Sequence, residues 1–378
     1  MIMLLESNRQ TDGYTFDNYL LQQQEKHTAE ILAHDFSGSL KTSETSFSEA
    51  KTDETNSDKA KTIFRHDSPK IVRKEWQDKF LKFGDSKTTA LLEKINQSGS
   101  LKLNGKTEVA QGIVFPQDYL NRKNQEILQT GTVGEGIFAL SEQEKGSLNL
   151  TAAEQTLVKP YFDSEQIQRY YTSPHHTQWL IYTDSSFKDP VSMNAYPNLK
   201  RHLDRFAAVI TSDNKPYGLH RARKEHFFQG EKIICQRKCV DRPVFSYADF
   251  DTYVSATYYV IQTQRINLKY LLGLLNSNLV AFWLRHKGKM QGNNFQVDKE
   301  PLLQIPLIKT DNQTLHNEIV KLVEQLLAAQ PKARAALSDS DKNFHERFIA
   351  SLEQRINQAV YQIYGLTADE IALVEAAV

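Results

Sequence analysis

What the chain lacks narrows the field first. Its 378 residues hold only two cysteines, Cys235 and Cys239. Two thiols cannot build a disulfide framework, and the composition points to a reducing, cytoplasmic setting. No apolar run reaches the ~18 residues that a membrane span needs. The opening Met1–Leu5 run meets Glu6 too soon for a signal segment. A membrane is therefore not an expected partner. An excess of one charge is also missing: 46 Lys and Arg balance 46 Asp and Glu. No global field draws the protein to polyanions, so nucleic-acid binding has to come from local clustering.

Catalytic and metal motifs are missing too. Gly99 and Gly105-Lys106-Thr107 resemble a phosphate-binding loop, but five residues separate the glycines where four are required. That spacing fixes which N–H groups surround the phosphate. Gly131, Gly134 and Gly136 precede Ile137–Leu140, which reads as a strand, whereas a dinucleotide loop needs a helix there. A tight turn is the expectation. Cys235 and Cys239 fall on strand-like sequence, where positions four apart are too distant to share one tetrahedral zinc. They are expected in a core, and His175-His176 as a surface pair. No metal site and no serine–histidine–acid arrangement can be assigned.

What is present begins with a change in texture along the chain. Phe16–Leu32 reads as a polar helix. Residues 37–61 collapse to Ser, Thr, Asp, Glu and Lys, too little apolar surface to offset ordering entropy, and read as a linker. A compact region opens near Ile71 with Trp76, Phe80, Leu81 and Phe83, then a helix from Thr88 to Ile95. From Lys159 strands and helices alternate. Trp179–Tyr182, Lys232–Arg237 and Tyr253–Gln262 read as strands and Leu199–Ile210 as a helix. Asn267 can cap one long helix through Leu268, Leu271, Leu275, Leu279 and Phe282. Pro301 and Pro306 bound an extended run, Leu302–Ile305. The tail is helical: Ile319 to Leu327 up to Pro331, then Phe344, Phe348, Leu352, Ile356, Val360 and Ile363. Thr367 with Glu370 forms a capping box for a last helix.

Charge clusters in two places. Between Lys200 and Arg242, eleven basic side chains face five acidic ones, a local excess of six. Tyr217, His220 and Phe227 interleave as stacking or packing groups. The second cluster, Arg285, His286, Lys287 and Lys289, runs into Gln291-Gly292-Asn293-Asn294. Arginine forks suit phosphates and guanine edges, and Asn and Gln can read adenine edges. A solvated basic face, a helix C-terminus favouring lysine and a structural turn account for the same residues without DNA.

Taken in order, several segments resemble one family. They are Tyr217-Gly218-Leu219-His220-Arg221-Ala222-Arg223, Gly230-Glu231-Lys232-Ile233-Ile234, the Leu-Leu-Gly-Leu-Leu-Asn-Ser run of residues 271–277, and Gly288-Lys289-Met290-Gln291-Gly292-Asn293-Asn294. Gln111-Gly112-Ile113, Lys159-Pro160-Tyr161 and the tail 360–367 add to them. Together they are similar to the TaqI-like C-terminal specificity domain of Eco57I-type restriction-modification enzymes and adenine-specific DNA methyltransferases, over residues 70 to 378.

The resemblance implies an α+β fold: a mixed-sheet target-recognition domain with flanking helices, a C-terminal helical segment and a flexible N-terminal region. It implies a division into 1–66 (the end of a catalytic domain), 67–158, 159–308 and 309–378. The implied partners are double-stranded DNA and a separate methyltransferase catalytic chain. In the full-length family an adenine is flipped out and methylated with S-adenosylmethionine. The family's catalytic loop is Asn/Asp-Pro-Pro-Tyr/Phe, and this chain departs from it. None of its eleven prolines follows Asn or Pro, and Asp189-Pro190 is followed by Val191. No cofactor is expected in this chain. Phosphate contacts are assigned to Lys200, Arg201, Lys215, Lys287 and Lys289, and base reading to Arg221, Arg223, Lys224, Gln291, Asn293 and Asn294. Tyr217, His220, Arg237 and Lys238 complete the candidate surface; Arg221 could instead pair with Glu225. Two alternatives stay open: an enzyme with an unrecognised active site, and a helical interaction protein with an incidental basic face.

Overall fold

The computed structural model describes residues 86–378 in full, and before them the backbone of residues 2–5, 13–21, 64–67 and 70–72. The chain divides into two units, 1–91 and 92–378. In the first, β1 (Ile2–Leu5), β2 (Gly13–Leu21), β3 (Phe64–Asp67) and β4 (Lys70–Val72) form an antiparallel sheet around β2. Residues 16–21, expected in a helix, are therefore strand. Tyr14 and Phe16 alternate with Thr15 and Asp17, the two-residue period of a strand. The rest of that expected helix, the 37–61 linker and the Trp76–Phe83 run lie outside the described residues.

Past α1 (Ser86–Ser98), the described residues of the second unit form two larger sheets and a three-stranded one. Its early elements are β5 (Val109–Gln111), α2 (Arg122–Leu128), β6 (Ala139–Ser141), α3 (Glu142–Ser147), α4 (Ala152–Gln155), β7 (Val158–Phe162), β8 (Tyr170–Tyr171) and β9 (Gln178–Ile181). After α5 (Pro197–Asp204) come β10 (Lys232–Gln236), β11 (Lys238–Cys239), β12 (Phe245–Ala248), β13 (Tyr253–Val254) and β14 (Tyr258–Ile261). One sheet has the order β5-β14-β10-β12-β8 and the other β13-β7-β9-β6. Both mix parallel and antiparallel pairs: β12 runs parallel to β8 and β13 to β7. Strands from either side of residue 158 share each sheet.

The central β10 is buried from Lys232 to Cys235, so it reads as a continuous apolar run rather than an alternating one. Even Lys232 is covered; its Nζ donates to the carbonyls of Gly230 and Phe250. Leu199, Leu203 and Phe206 belong to the same buried core as Phe138, Leu140, Leu180 and Ile181, each fully buried side chain contributing about 1.5–3 kcal/mol. Cys235 and Cys239 are buried free thiols. His176 is not simply a surface residue: it packs between Phe162 and Trp179, at 5.3 and 4.6 Å between ring centroids.

The remaining elements are α6 (Leu268–Leu275), α7 (Asn278–Lys287), β15 (Lys289–Gln291), β16 (Asn294–Gln296), α8 (Lys299–Gln304), α9 (Gln313–Ala335), α10 (Asp339–Ile363) and α11 (Ala368–Ala376). Asn267 caps α6 as expected, accepting from Lys269 N and Tyr270 N. The expected single helix, however, breaks at Asn276-Ser277. The buried Asn276 amide donates to Phe245 O (2.8 Å) and accepts from Phe245 N (3.2 Å), and Ser277 caps α7. Leu302–Gln304, expected extended, is helical, because Pro301 sits in the first turn of α8, where its missing N–H has no intrahelical partner to lose. The helix expected from Leu199 stops at Asp204.

The tail extends further than the prolines suggest. α9 continues through Pro331 to Ala335. α6 lies close against α9: an added methyl on Gly273 would come 2.6 Å from Ile319 Cγ2. In α10 the buried stripe runs through Ile349, Leu352, Ile356 and Val360. Phe344 and Phe348, expected in it, are 66% and 41% exposed. Phe348 stands one residue, about 100° of helix, away from Ile349. Thr367 and Glu370 form the capping box of α11. Among the described residues no helix is long and apolar enough to cross a membrane.

Candidate nucleic-acid interface

The two sheets exchange a strand at one point, and the candidate site grows from it. Tyr253–Gln262, expected as one strand, is two: β13 belongs to one sheet and β14 to the other. Residues 255–257 make the crossing. Gly112 lies against it, and a Cβ there would overlap the Ser255 carbonyl oxygen. Beside it the Gln111 side chain donates to Ala256 O (3.2 Å) and accepts from Arg223 Nη2 (2.9 Å). Arg223 Nε donates to Gly112 O (3.3 Å), and its backbone φ is +72°. From the other side Arg237 Nη1 donates to the same Ala256 carbonyl (3.1 Å), and Arg237 pairs with Asp298 at 3.4 Å. The segments around Arg223 and Arg237 are thus tied through Gln111 and one carbonyl.

Arg237 leads directly into β11, which leaves the central sheet. Gln236 N donates to Val244 O (3.0 Å) and closes the neck of the excursion. Outside it β11 joins the β15–β16 hairpin in a small antiparallel sheet, order β11-β16-β15. The hairpin turns on Gly292, φ +61°, the residue its two-residue loop requires at the first central position. Directly opposed residues share a face. The register therefore sorts the sheet into rows. Lys238, Gln296 and Lys289 form one, and Cys239, Phe295 and Met290 the next. Cys239 and Phe295 are buried, Met290 is half-buried, and Arg285 lies over the Phe295 ring at 5.5 Å. The third row contains Gln291 and Asn294, both exposed. Lys238 and Lys289 are exposed as well, so the first and third rows share the outer face.

Ion pairing divides the candidate cations. Lys200 is engaged with Asp204 (2.8 Å), and Tyr217, 5% exposed, donates its hydroxyl to the same carboxylate (2.6 Å). The Lys200 and Tyr217 bonds hold the Asp204 carboxyl below the usual carboxylate range. Arg201 reaches Asn198 (3.4 Å), and His220 lies 3.8 Å from Asp213. Lys215 is exposed and unpaired among the described residues. Phe227 is buried, a packing group. Glu225 does not take Arg221; it holds Lys159 (2.8 Å) and accepts from Tyr253. Arg221, Lys224, Lys238, Lys287 and Lys289 are exposed and make no ion pair among the described residues. Burial, and then the neighbouring Arg221 charge, pull the Arg223 guanidinium below its usual pKa, as a cation pair without a carboxylate does. Gln111, Gln296 and Ala256 O are the contributors that sequence reasoning missed as site groups. Gln111 was visible only as part of a Gln-Gly-Ile landmark.

Among the described residues, the glycine turns and cysteines have local structural roles. Gly131 (φ +81°) and Gly134 (φ +94°) form a turn that leads into a strand, so no phosphate cradle opens there. Asn104 Oδ1 accepts from Lys106 N and Thr107 N in a local turn, not a phosphate loop. Burial pushes the Cys239 thiol up to about 11, which disfavours the thiolate. Among the described residues no group of three His, Cys, Asp or Glu side chains could hold a metal.

Comparison with known proteins bears on the family resemblance and the fold. Residues 159–307 match the TaqI-like C-terminal specificity domain. The specificity domain thus takes in β7 to β16 and all the unpaired cations above, while Gln111 and Gly112 come from earlier in the chain. The Type II methyltransferases M.HincII and M.HindII, both of Haemophilus influenzae, are each 26% identical over 115 residues, 27% of this chain. The match spans only 23% and 22% of their lengths. The fold is similar to that of the Type IIL restriction-modification enzyme MmeI, solved in complex with DNA. The TM-score is 0.51 at 13% identity, over 74% of this chain and 35% of that one.

Proposed function

We propose that this chain is the DNA target-recognition part of an adenine-specific DNA methyltransferase in a restriction-modification system. The observation that carries the reading is the outer face of the small sheet. Unpaired Lys238 and Lys289 form one row of that face and the amides of Gln291 and Asn294 the other, and Arg237, which leads into the sheet, is linked to Arg223 through Ala256 O and Gln111. Lysines match phosphates, and amides match the adenine edge in the major groove. A strand ribbon is narrow enough to enter that groove. The specificity-domain match and the relatives' identity as Type II methyltransferases support the same reading.

Methyl transfer belongs, in this proposal, to a catalytic domain or partner chain carrying the Asn/Asp-Pro-Pro-aromatic loop, and S-adenosylmethionine binds there. Selection of bound duplexes from a random library, followed by titration against salt, tests the function. We expect a recovered consensus and a slope of about −4 to −5 in log K against log salt, for the five exposed lysines without an ion pair among the described residues, Lys215, Lys224, Lys238, Lys287 and Lys289. Binding without consensus or slope would overturn it.

A second reading has one observation in its favour. Leu337, Phe344 and Phe348, close in sequence at the α9–α10 turn and the start of α10, are exposed large apolar side chains, as a helical interaction protein would have.

A further inference from the structure

The third row of the small sheet can be followed past the end of β11. That strand ends at Cys239, and one more step in its antiparallel register against β16 brings Val240 toward Asn294, in the row of Gln291. Val240 is 73% exposed, while its predecessor Cys239 is buried, as strand alternation requires. Its position is fixed. Arg242 N donates to Val240 O (2.6 Å), and Asp241 between them has φ +59°, the sign of the rare, strained γ-turn. An aliphatic side chain held out on a strained turn, between Lys238 and Arg242 in sequence, is mostly uncovered among the described residues. Its neighbours across the row are two amides.

We infer that Val240 is a specificity-determining contact that receives the 5-methyl group of a thymine in the major groove. The inference rests on the proposed function. In that groove adenine offers the N6/N7 pair that an amide side chain matches, and thymine offers a methyl group that only apolar contact recognises. A row of Gln291, Asn294 and Val240 carries both kinds of complement. It spans two interstrand spacings, roughly 10 Å, within a groove about 12 Å wide.

The test uses the 378-residue chain. A preferred duplex is first selected from a random library, and each of its thymines is then replaced singly by deoxyuridine, which removes only the methyl. We expect one replacement to weaken wild-type binding about three- to tenfold, the effect of one buried methyl. With Val240→Ala the thymine and deoxyuridine duplexes should bind equally at that position, and the salt slope should be unchanged. The inference is overturned if no replacement matters, if the preferred site contains no thymine, or if the penalty persists in Val240→Ala. In those cases consensus binding survives and the DNA-recognition reading stands. Failure to recover any consensus sinks both. Circular dichroism and melting of Val240→Ala should match wild type, because the side chain is exposed.

Discussion

Arg223 and Arg237 meet at one carbonyl: Arg237 donates to Ala256 O (3.1 Å), and Arg223 reaches the same oxygen through Gln111 (2.9 and 3.2 Å). Two cationic segments separated by the central strand β10 are thereby held in fixed relation. The carbonyl belongs to the short crossing between the two sheets, where backbone groups leave one ladder before joining the next. Any group that satisfies them there is structural and positional at once.

Gln111→Met keeps the length of the side chain but removes both bonds. It should cost about 1–3 kcal/mol in urea unfolding, because a charged donor loses its acceptor. DNA affinity should fall further than stability accounts for, and consensus specificity should relax. Unchanged affinity in a folded variant would argue that the relay has no part in binding.

Gly112→Ala places a methyl group on the Ser255 carbonyl, and backbone on both sides leaves little room to yield. A loss of about 3 kcal/mol is expected, at the upper end of overpacking costs. A melting temperature equal to wild type would show that the crossing is looser than it looks.

Asn276→Leu is near in size but leaves Phe245 N–H and C=O without their partner. Each unsatisfied buried group costs about 1–3 kcal/mol, so denaturant midpoints should drop strongly. Wild-type stability would mean that the break between α6 and α7 is set by something else.

Lys238→Gln with Lys289→Gln removes two cations from the outer row without touching an ion pair. Binding should weaken evenly across sequences, and the salt slope should shrink by about 2. Lys200→Gln, whose charge is already engaged by Asp204, should change the slope far less.

Acid stability should depend on Glu154. Burial alone would raise its carboxyl. The N–H groups of Thr151 and Leu199 and the side chain of Asn198 more than offset this, holding it at about 2 against an ordinary 4.5. A carboxyl depressed on folding stabilises above the unfolded value and loses that contribution as pH falls through the folded one. The loss should therefore run from about pH 4.5 to about pH 2, and Glu154→Gln should flatten that part of the profile in stepped urea titrations.

Local chemistry was legible in the residues themselves. Asn267 caps α6 and Thr367 with Glu370 caps α11, because a cap and its partners lie within one turn of each other. The buried run of β10 and the glycine turn at 131–134 were equally plain, as was the excess of positive charge from Lys200 to Arg242. The sequence also held the segments that resemble the specificity domain. Hidden from it was everything that depends on a partner far along the chain. Asn276 breaks a helix because Phe245 waits beside it. Lys200 is spent on Asp204 and Tyr217 while Lys238 stays free. Val240 is brought toward the row of Asn294 and Gln291 only because β11, just before it, leaves the central sheet to pair with β16. Strand pairing carries no signal in either segment alone, since the register is fixed by packing between them. The tertiary structure therefore decided which charges and amides share a face, and the sequence decided only that they were available.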